Sequence, residues 1–175
     1  MLTPTYGDVP ALVVAALGSD WNDYFNVAVI GQATGAMLSD AITDVDGKRD
    51  NTKINYVVAW EITNDITSAS VTADAAYDRY TRYCLGRRAT GSKIVAMTVL
   101  PRTGQTADFE TKRTQINTWI RANWANFADA LADVANEANL SNASNTTYFS
   151  DGTHLTSAGN AIVVSLISAA LSGIV

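Results

Sequence analysis

The sequence predicts an α/β fold in which a parallel sheet is covered by helices on both faces. Short apolar runs rich in β-branched residues alternate along the chain with longer segments whose apolar residues recur at helical spacing. The run Ile54 to Trp60 shows no alternation of polarity, which is typical of a strand buried on both faces. Helices between successive strands favour parallel pairing, because each helix returns the chain to the same end of the sheet.

In the first half of the chain, local signals delimit several elements and a turn. Val9 to Leu17 is apolar and alanine-rich, has Pro10 in its first turn and ends at Gly18, which predicts a short helix. Phe25 to Ile30 is a β-branched run followed by Gly31 and is predicted to be a buried strand. The remaining predictions are a helix from Ala36 to about Thr43, a surface turn from Asp46 to Asn51, the strand Ile54 to Trp60 and a helix from Thr72 to Leu85.

The second half repeats the pattern. Ile94 to Leu100 is predicted to be a strand, because it is apolar and is stopped by Pro101. The last element, Ser157 to Leu171, is predicted to be a helix with Thr156 as its N-cap. Between them lie a long helix containing Phe109 to Phe127, a short strand around Ala130 to Val134 and a polar loop from Asn136 to Thr147.

Length and charge limit the class of protein. A chain of 175 residues with 47% hydrophobic content can bury one core, so residues 1–175 are predicted to form a single domain. The net charge is -5 and the basic residues are scattered, which argues against nucleic acid as a partner. No apolar run is long enough to cross a bilayer, so no membrane span is expected. The sequence does not distinguish a secreted from a cytoplasmic protein.

The chain has one cysteine, Cys84, and one histidine, His154. A Cys/His cluster for zinc is therefore ruled out, and neither a metal nor another cofactor is predicted. Cys84 lies in an apolar helical run, where it is interpreted as a small packed hydrophobe and not as a reactive thiol.

The segment around His154 has the pattern of an acid–base pair. Histidine exchanges protons near neutral pH, and a carboxylate beside it can hold the ring in one tautomer. Asp151 precedes His154 by three residues in a loop that contains Gly152, so one short loop can bring the two side chains together. The pair is a candidate catalytic base with its orienting acid; the alternative is a histidine that merely caps a surface loop.

Two loops at predicted strand ends carry candidate hydrogen-bond donors. Gly35 lies in the turn after the first predicted strand, where its backbone N–H can face an oxyanion, and Asn64 lies in the loop after the next strand. The carboxyl ends of parallel strands meet at one edge of the sheet, where sites gather. The two residues are therefore candidates for an oxyanion hole. The alternative is that Gly35 only permits a tight turn and Asn64 caps its own loop.

These segments, taken in order, resemble the SGNH or GDSL hydrolases, a family of serine esterases and lipases. Val29 to Gly35 is similar to the second conserved block of that family, Thr63-Asn64-Asp65 to the third and Asp151 to His154 to the fifth. The resemblance covers nearly the whole chain from Tyr6 onward. It implies a three-layer flavodoxin-like fold, Gly35 and Asn64 as oxyanion donors, and Asp151 and His154 as acid and base. It also implies an ester substrate, with an acylated carbohydrate as one candidate.

The chain departs from the family pattern in two places. The third block has Ile62 where the family has glycine, which puts a side chain in a loop that approaches the substrate. The first block, a strand ending in Gly-Asp-Ser with the serine as nucleophile, is absent, and Met1 stands at about the serine's place. The resemblance therefore implies a sheet without its usual first strand, whose neighbours would face each other across about 10 Å.

Three interpretations of the first departure stay open. The chain is a fragment whose upstream residues carry the strand and the serine; or it is a variant in which a hydroxyl such as Thr3, or water activated by His154, replaces the serine; or it is an inactive relative that binds glycan or protein. A homodimer that pairs the exposed strands is one way to complete the sheet. The function predicted is ester hydrolysis, with the inactive binding module as the alternative.

Overall fold

The computed structural model describes residues 9–18, 21 and 23–175. Helices and strands alternate over this part of the chain. The helices are α1 (Val9–Leu17), α2 (Thr34–Asp44), α3 (Thr63–Ile66), α4 (Ala73–Ala89), α5 (Ala107–Asn123) and α6 (Ser157–Ser172). The strands are β1 (Tyr56–Ala59), β2 (Lys93–Met97) and β3 (Ala130–Ala132), and short 3-10 turns occupy Asp46–Lys48, Trp124–Asn126, Val134–Asn136 and Ala138–Leu140.

The strands form one parallel sheet in the order β1-β2-β3. Val58 lies opposite Val95, and Ala96 lies opposite Leu131. The side chains of β2 after Lys93 are buried on both faces. The predicted burial of Ile54 to Trp60 on both faces is wrong: in β1 only Ala59 is buried, and Val58 is 38% exposed.

Helices cover both faces of the sheet, which confirms the predicted α/β class. On one face, Ile94 and Ala96 of β2 pack in a core with α2, α4 and α5; Tyr80, Ile116 and Ile120 are its large buried side chains. On the other face, Val95 and Met97 of β2 pack with α1 and α6. The core therefore consists of two layers of side chains separated by the sheet.

Two buried polar side chains complete the carboxyl ends of the strands. The hydroxyl of Tyr80 donates to the carbonyl of Ala59 at 2.8 Å and accepts the N–H of Met97 at 2.9 Å. The amide of Asn117 bonds both the N–H and the carbonyl of Val99, at 2.8 Å and 2.9 Å. Since buried backbone groups must find partners, these contacts allow β1 and β2 to end inside the protein and the chain to turn toward one rim of the sheet.

The predicted strand Phe25 to Ile30 is wrong. Residues 25–29 have no regular secondary structure and residue 30 begins a turn. Phe25 is 61% exposed and Ile30 is 97% exposed, so the segment is not buried either. Its β-branched composition favours extended backbone, but a strand also needs a hydrogen-bonded neighbour, and the described residues supply none beside it. Instead of the expected gap between two strands, β1 is the outer strand of the sheet formed by the described residues.

Helices were predicted more accurately than strands. The structure confirms α1 at the predicted residues and α6 with Thr156 as its N-cap, whose side chain accepts the N–H of Gly159. Cys84 is fully buried in α4 and forms no disulfide, as its apolar surroundings indicate, and burial raises the pKa of its thiol to about 12. Within the described residues, no helix is long and apolar enough to cross a membrane.

Candidate active site

The loop that holds the sole histidine is a compact hairpin in front of α6. Phe149 and Leu155 pair as an isolated antiparallel bridge, and the N–H of Ser150 donates to the carbonyl of His154 at 2.8 Å. At the tip, Gly152 has a φ of 77°, a conformation that side chains disfavour. Its carbonyl accepts the N–H of Thr103 at 2.9 Å, which fastens the tip to the loop that follows β2.

The hairpin brings Asp151 and His154 into direct contact. Nδ1 of His154 lies 2.7 Å from Oδ2 of Asp151. The other carboxylate oxygen accepts the backbone N–H groups of His154 at 2.7 Å and Thr153 at 2.9 Å. The N–H of His154, followed by its ring and then by the N–H of Thr153, lowers the pKa of Asp151 from 3.8 to about 2. Asp151 is therefore ionised at neutral pH and holds the proton of the neutral imidazole on Nδ1, which leaves Nε2 as the basic nitrogen.

A cavity of about 240 Å³ opens beside this pair. His154 and Leu155 line one side, and Trp60 and Pro101 belong to the loops that follow β1 and β2. Its walls are mainly apolar, and the side chain of His154 is 57% exposed at its edge. A small acyl group would lose water in this space while its carbonyl stays within reach of the histidine ring.

Arg102 connects the histidine loop to the loop that contains Asn64. Its Nε lies 3.4 Å from the hydroxyl of Thr153, and its Nη1 lies 3.4 Å from the hydroxyl of Thr63. Thr63 immediately precedes Asn64 and also lines the cavity. The loops after β1 and β2 and the histidine hairpin therefore meet at one rim, the carboxyl end of the sheet, as the sequence predicts.

The Gly35 and Asn64 segments are bound to each other. The buried carboxylate of Asp65 accepts both the N–H and the hydroxyl of Thr34 at 2.8 Å. The side-chain amide of Asn64 donates to the carbonyl of Gln32 at 3.0 Å. Gly35 is the second residue of α2 and is exposed. Neither Gly35 nor Asn64 lines the cavity beside His154, so their role as oxyanion donors stays a prediction.

Ile62 occupies a backbone conformation that suits glycine. Its φ is 128°, and among the described residues it alone combines a side chain with a positive φ. Its side chain is fully buried in the core and does not line the cavity. Isoleucine at the family's glycine position therefore strains the backbone, by about 1–3 kcal/mol for such conformations, and does not narrow the approach of a substrate.

Glu61, Arg102 and Trp60 line the cavity but are not among the site residues predicted from the sequence. All three follow strand ends, so the rule that sites gather at carboxyl ends of parallel strands would have indicated them. Burial raises the pKa of Glu61 above its ordinary value of 4.5, although the N–H groups of Asn64 and Ile62 favour its ionised form. Met1 and Thr3, considered above for the nucleophile, lie outside the described residues.

The described residues hold no group of three or more His, Cys, Asp or Glu side chains arranged to bind a metal ion. The contact between Asp151 and His154 is therefore the feature of this rim that suggests a chemical reaction, namely proton transfer. An oriented imidazole can take a proton from a hydroxyl and return it to a leaving alcohol.

Comparison with known proteins bears on the family and the fold. The model of the GDSL-like lipase/acylhydrolase family matches residues 2–167. No protein with a curated description matches significantly. Similar solved structures include a protein assigned to the G-D-S-L lipolytic family from Desulfitobacterium hafniense, with 13% identity, a TM-score of 0.71, and coverage of 93% of this chain and 87% of that one.

Two further structures share the fold. A GDSL-like lipase from Bacteroides thetaiotaomicron has 21% identity and a TM-score of 0.64, and the match covers 83% of this chain and 73% of that one. The acetyl xylan esterase AlAXEase has 18% identity and a TM-score of 0.58, and the match covers 84% of this chain and 78% of that one. At these identities the likeness shows the fold, and the three-layer α/β architecture is that of these hydrolases.

Proposed function

Since this chain belongs to the GDSL-like lipase/acylhydrolase family, we propose that it hydrolyses carboxylic esters with His154 as general base and acid and Asp151 as its orienting carboxylate. The observation that carries this proposal is the 2.7 Å contact between Nδ1 of His154 and Asp151 at the mouth of an apolar cavity. Such a contact aligns the ring for proton transfer through Nε2 and stabilises the imidazolium that forms.

The reaction proceeds by addition and elimination. Nε2 of His154 takes the proton of a hydroxyl while that oxygen bonds to the ester carbonyl carbon, and the carbonyl oxygen becomes an oxyanion. Collapse of this intermediate expels the alcohol, which receives the proton from His154. Gly35 and Asn64 are proposed to stabilise the oxyanion; Asn64 would have to release the carbonyl of Gln32 first. Where the attacking hydroxyl is that of water, collapse of the intermediate releases the carboxylic acid directly. Where it belongs to a side chain, the acyl group stays on that oxygen until water, deprotonated by His154, adds to the carbonyl and the side-chain oxygen leaves with the proton, which releases the acid and regenerates the hydroxyl.

A short acyl group suits the cavity. Its volume of about 240 Å³ is small, and Trp60, Leu100 and Leu155 give it apolar walls. An acetyl ester of a carbohydrate is the proposed substrate class, supported by the fold shared with an acetyl xylan esterase and by the polar groove that adjoins the cavity.

Turnover of 4-nitrophenyl acetate by the wild type and His154→Ala tests the proposal. We expect hydrolysis by the wild type and a loss of at least about a hundredfold in the variant, because general base catalysis contributes this much or more. Equal rates in both proteins would refute the assignment. A fluorophosphonate probe followed by mass spectrometry identifies the nucleophile: a covalent adduct marks a side chain, whereas turnover without an adduct indicates water.

A non-catalytic binding module is the second candidate. The bond from the Asn64 amide to Gln32 favours it, because in this arrangement the amide stabilises the protein's own loop and not an oxyanion. This candidate predicts that acetylated oligosaccharides raise the melting temperature without being hydrolysed.

The outer edge of β1 supports a proposed homodimer. Among the described residues β1 has a hydrogen-bonded neighbour only on its β2 side, and exposed strand edges readily pair with another chain. Sedimentation equilibrium would show a dimer; a monomer at all concentrations would contradict the proposal.

A further inference from the structure

Arg102 lies at the junction of two open spaces. It lines the apolar cavity beside His154 and also a neighbouring groove of about 420 Å³. The groove is polar: Thr103, Glu110 and Arg113 line it together with the loop of residues 141–144. A substrate whose ester bond lies at His154 and whose alcohol portion extends into the groove would therefore pass the Arg102 guanidinium.

Arg102 has spare capacity to bind an anion. A guanidinium carries five N–H donors in a planar fork. Within the part of the chain that the structure describes, the hydrogen-bond partners of Arg102 are the hydroxyls of Thr153 and Thr63, both at 3.4 Å, which is longer than a good hydrogen bond. No carboxylate of the described residues lies within 4.0 Å of it, whereas the arginine next to it in the groove, Arg113, contacts Glu110 at 2.8 Å.

The other charges near this junction leave the guanidinium available. Arg113 is occupied by Glu110 and by the carbonyl of Val99. Glu61 lies in the same cavity, but its carboxylate accepts the N–H of Asn64 at 3.0 Å and forms no ion pair with Arg102. The positive charge of Arg102 favours the ionised form of Glu61, but no carboxylate of the described residues forms an ion pair with the guanidinium between cavity and groove.

We propose that Arg102 is a specificity-determining residue that binds a carboxylate on the alcohol portion of the ester, so that the preferred substrates are acyl esters of hydroxy acids, acidic sugars included. This inference rests on the proposed ester hydrolysis for its catalytic consequence. The two threonine hydroxyls lie beside the fork at 3.4 Å, and a planar carboxylate can accept two parallel N–H groups from it.

The test compares 4-acetoxybenzoate with 4-acetoxybenzamide, two acetyl esters of nearly equal size that differ in charge. We expect wild-type kcat/KM to favour the carboxylate by about tenfold, the effect of a charge-assisted hydrogen bond at a half-exposed site. Arg102→Gln should abolish this preference and Arg102→Lys should keep part of it, because a lysine retains the charge and loses the fork. Equal rates for both esters in the wild type, or an unchanged preference in Arg102→Gln, would overturn the inference.

Glu61→Gln is the matched variant: it removes a negative charge beside the ligand, whereas Arg102→Gln removes a positive one. The glutamine amide oxygen can still accept the N–H of Asn64, while the negative charge beside the ligand is removed. The preference for the carboxylate ester should therefore increase, and added salt should weaken it in every protein that shows it. A fall in preference would contradict a ligand carboxylate placed in this cavity.

Binding of 4-hydroxybenzoate and 4-hydroxybenzamide, measured by calorimetry, separates this inference from the proposed function. If neither ester is hydrolysed in a His154-dependent way but wild type still prefers the benzoate and Arg102→Gln does not, ester hydrolysis fails and the anion site stands. If hydrolysis depends on His154 but neither rates nor binding depend on Arg102, the anion site fails alone.

Discussion

Gly152→Ala should disrupt the hairpin that presents His154, and the structure gives a basis for the size of the effect. Gly152 has a φ of 77°, and a Cβ built on it would lie 1.9 Å from the hydroxyl oxygen of Thr103 and 2.9 Å from its Cβ. Rotation of the exposed Thr103 side chain can remove the first contact but not the second. The backbone must then separate, which breaks the bond from the Thr103 N–H to the Gly152 carbonyl.

The strained backbone that alanine adopts at position 152 and the loss of the hydrogen bond to Thr103 both lower the free energy of unfolding. A left-handed conformation costs a non-glycine residue about 1–2 kcal/mol. Losing the backbone hydrogen bond and tight packing adds about 1–2 kcal/mol. We therefore expect the free energy of unfolding to fall by about 2–4 kcal/mol, which corresponds to a drop in melting temperature of roughly 5–15 °C for a chain of this length.

Gly104→Ala is the matched control, measured with the same urea denaturation. Gly104 also has a positive φ, 69°, but no atom lies within 4 Å of the point where its Cβ would stand. It should lose only the conformational part, about 1–2 kcal/mol. Adding Thr103→Ala to Gly152→Ala should restore part of the remaining difference, because the hydroxyl oxygen and the methyl carbon of Thr103, which would lie 1.9 and 2.8 Å from the new Cβ, are removed. Equal losses for the two glycine variants would refute the reasoning from overlap.

Three other variants test individual contacts. Ile62→Gly should be more stable than Ile62→Ala by about 1 kcal/mol in chemical denaturation, because both lose the buried side chain and only glycine relieves the φ of 128°; the usual order, alanine above glycine, would contradict this strain. Asp65→Asn should lower the free energy of unfolding by about 2–3 kcal/mol, because the buried carboxylate accepts two bonds from Thr34 and lies 3.2 Å from Nη1 of Arg79, whereas Asp78→Asn at an exposed position should change it by less than about 1 kcal/mol. Since the pKa of Asp151 is lowered to about 2, its ionised form stabilises the fold fully above its ordinary value of 3.8 and this contribution disappears as the pH falls toward 2. The difference in melting temperature between wild type and Asp151→Asn should therefore decrease as the pH falls from 3.8 toward 2; a difference that stays unchanged over this interval would contradict the lowered pKa.

Helices were predictable because their signals are local. The side chain of the N-cap Thr156 accepts the N–H of Gly159 three residues later, so the start of α6 is determined by residues within one helical turn. Strands depend on partners far away in the chain. Ile54 to Trp60 was predicted as a longer strand than β1, since the apolar pattern continues past the last residue that pairs with β2. Phe25 to Ile30 has an even stronger β-branched pattern and forms no strand, because composition does not provide a neighbour.

The candidate site likewise contains residues placed by local signals and residues placed by contacts distant in sequence. Asp151 and His154 were predictable because a three-residue spacing places both in one hairpin, and the structure shows the contact. The position of Arg102 depends instead on where β2 ends. That end is set by Asn117, a residue of a helix further along the chain, whose amide satisfies both backbone groups of Val99. No pattern near Arg102 encodes this contact, yet it decides that Pro101 turns the chain and that the following guanidinium reaches the rim beside His154.

The arrangement at the rim also explains how a family site tolerates an unusual loop. Ile62 strains the backbone, but its side chain packs in the core, and the next turns are anchored by Asp65 to the start of α2. The strain is thus offset by buried contacts on the side of the loop away from the cavity. Those contacts do not involve the histidine hairpin, whereas Arg102 lies 3.4 Å from hydroxyls of both parts of the candidate site, Thr63 on one side and Thr153 on the other. A residue that lies between the two parts and faces the substrate space is well placed to select which esters bind.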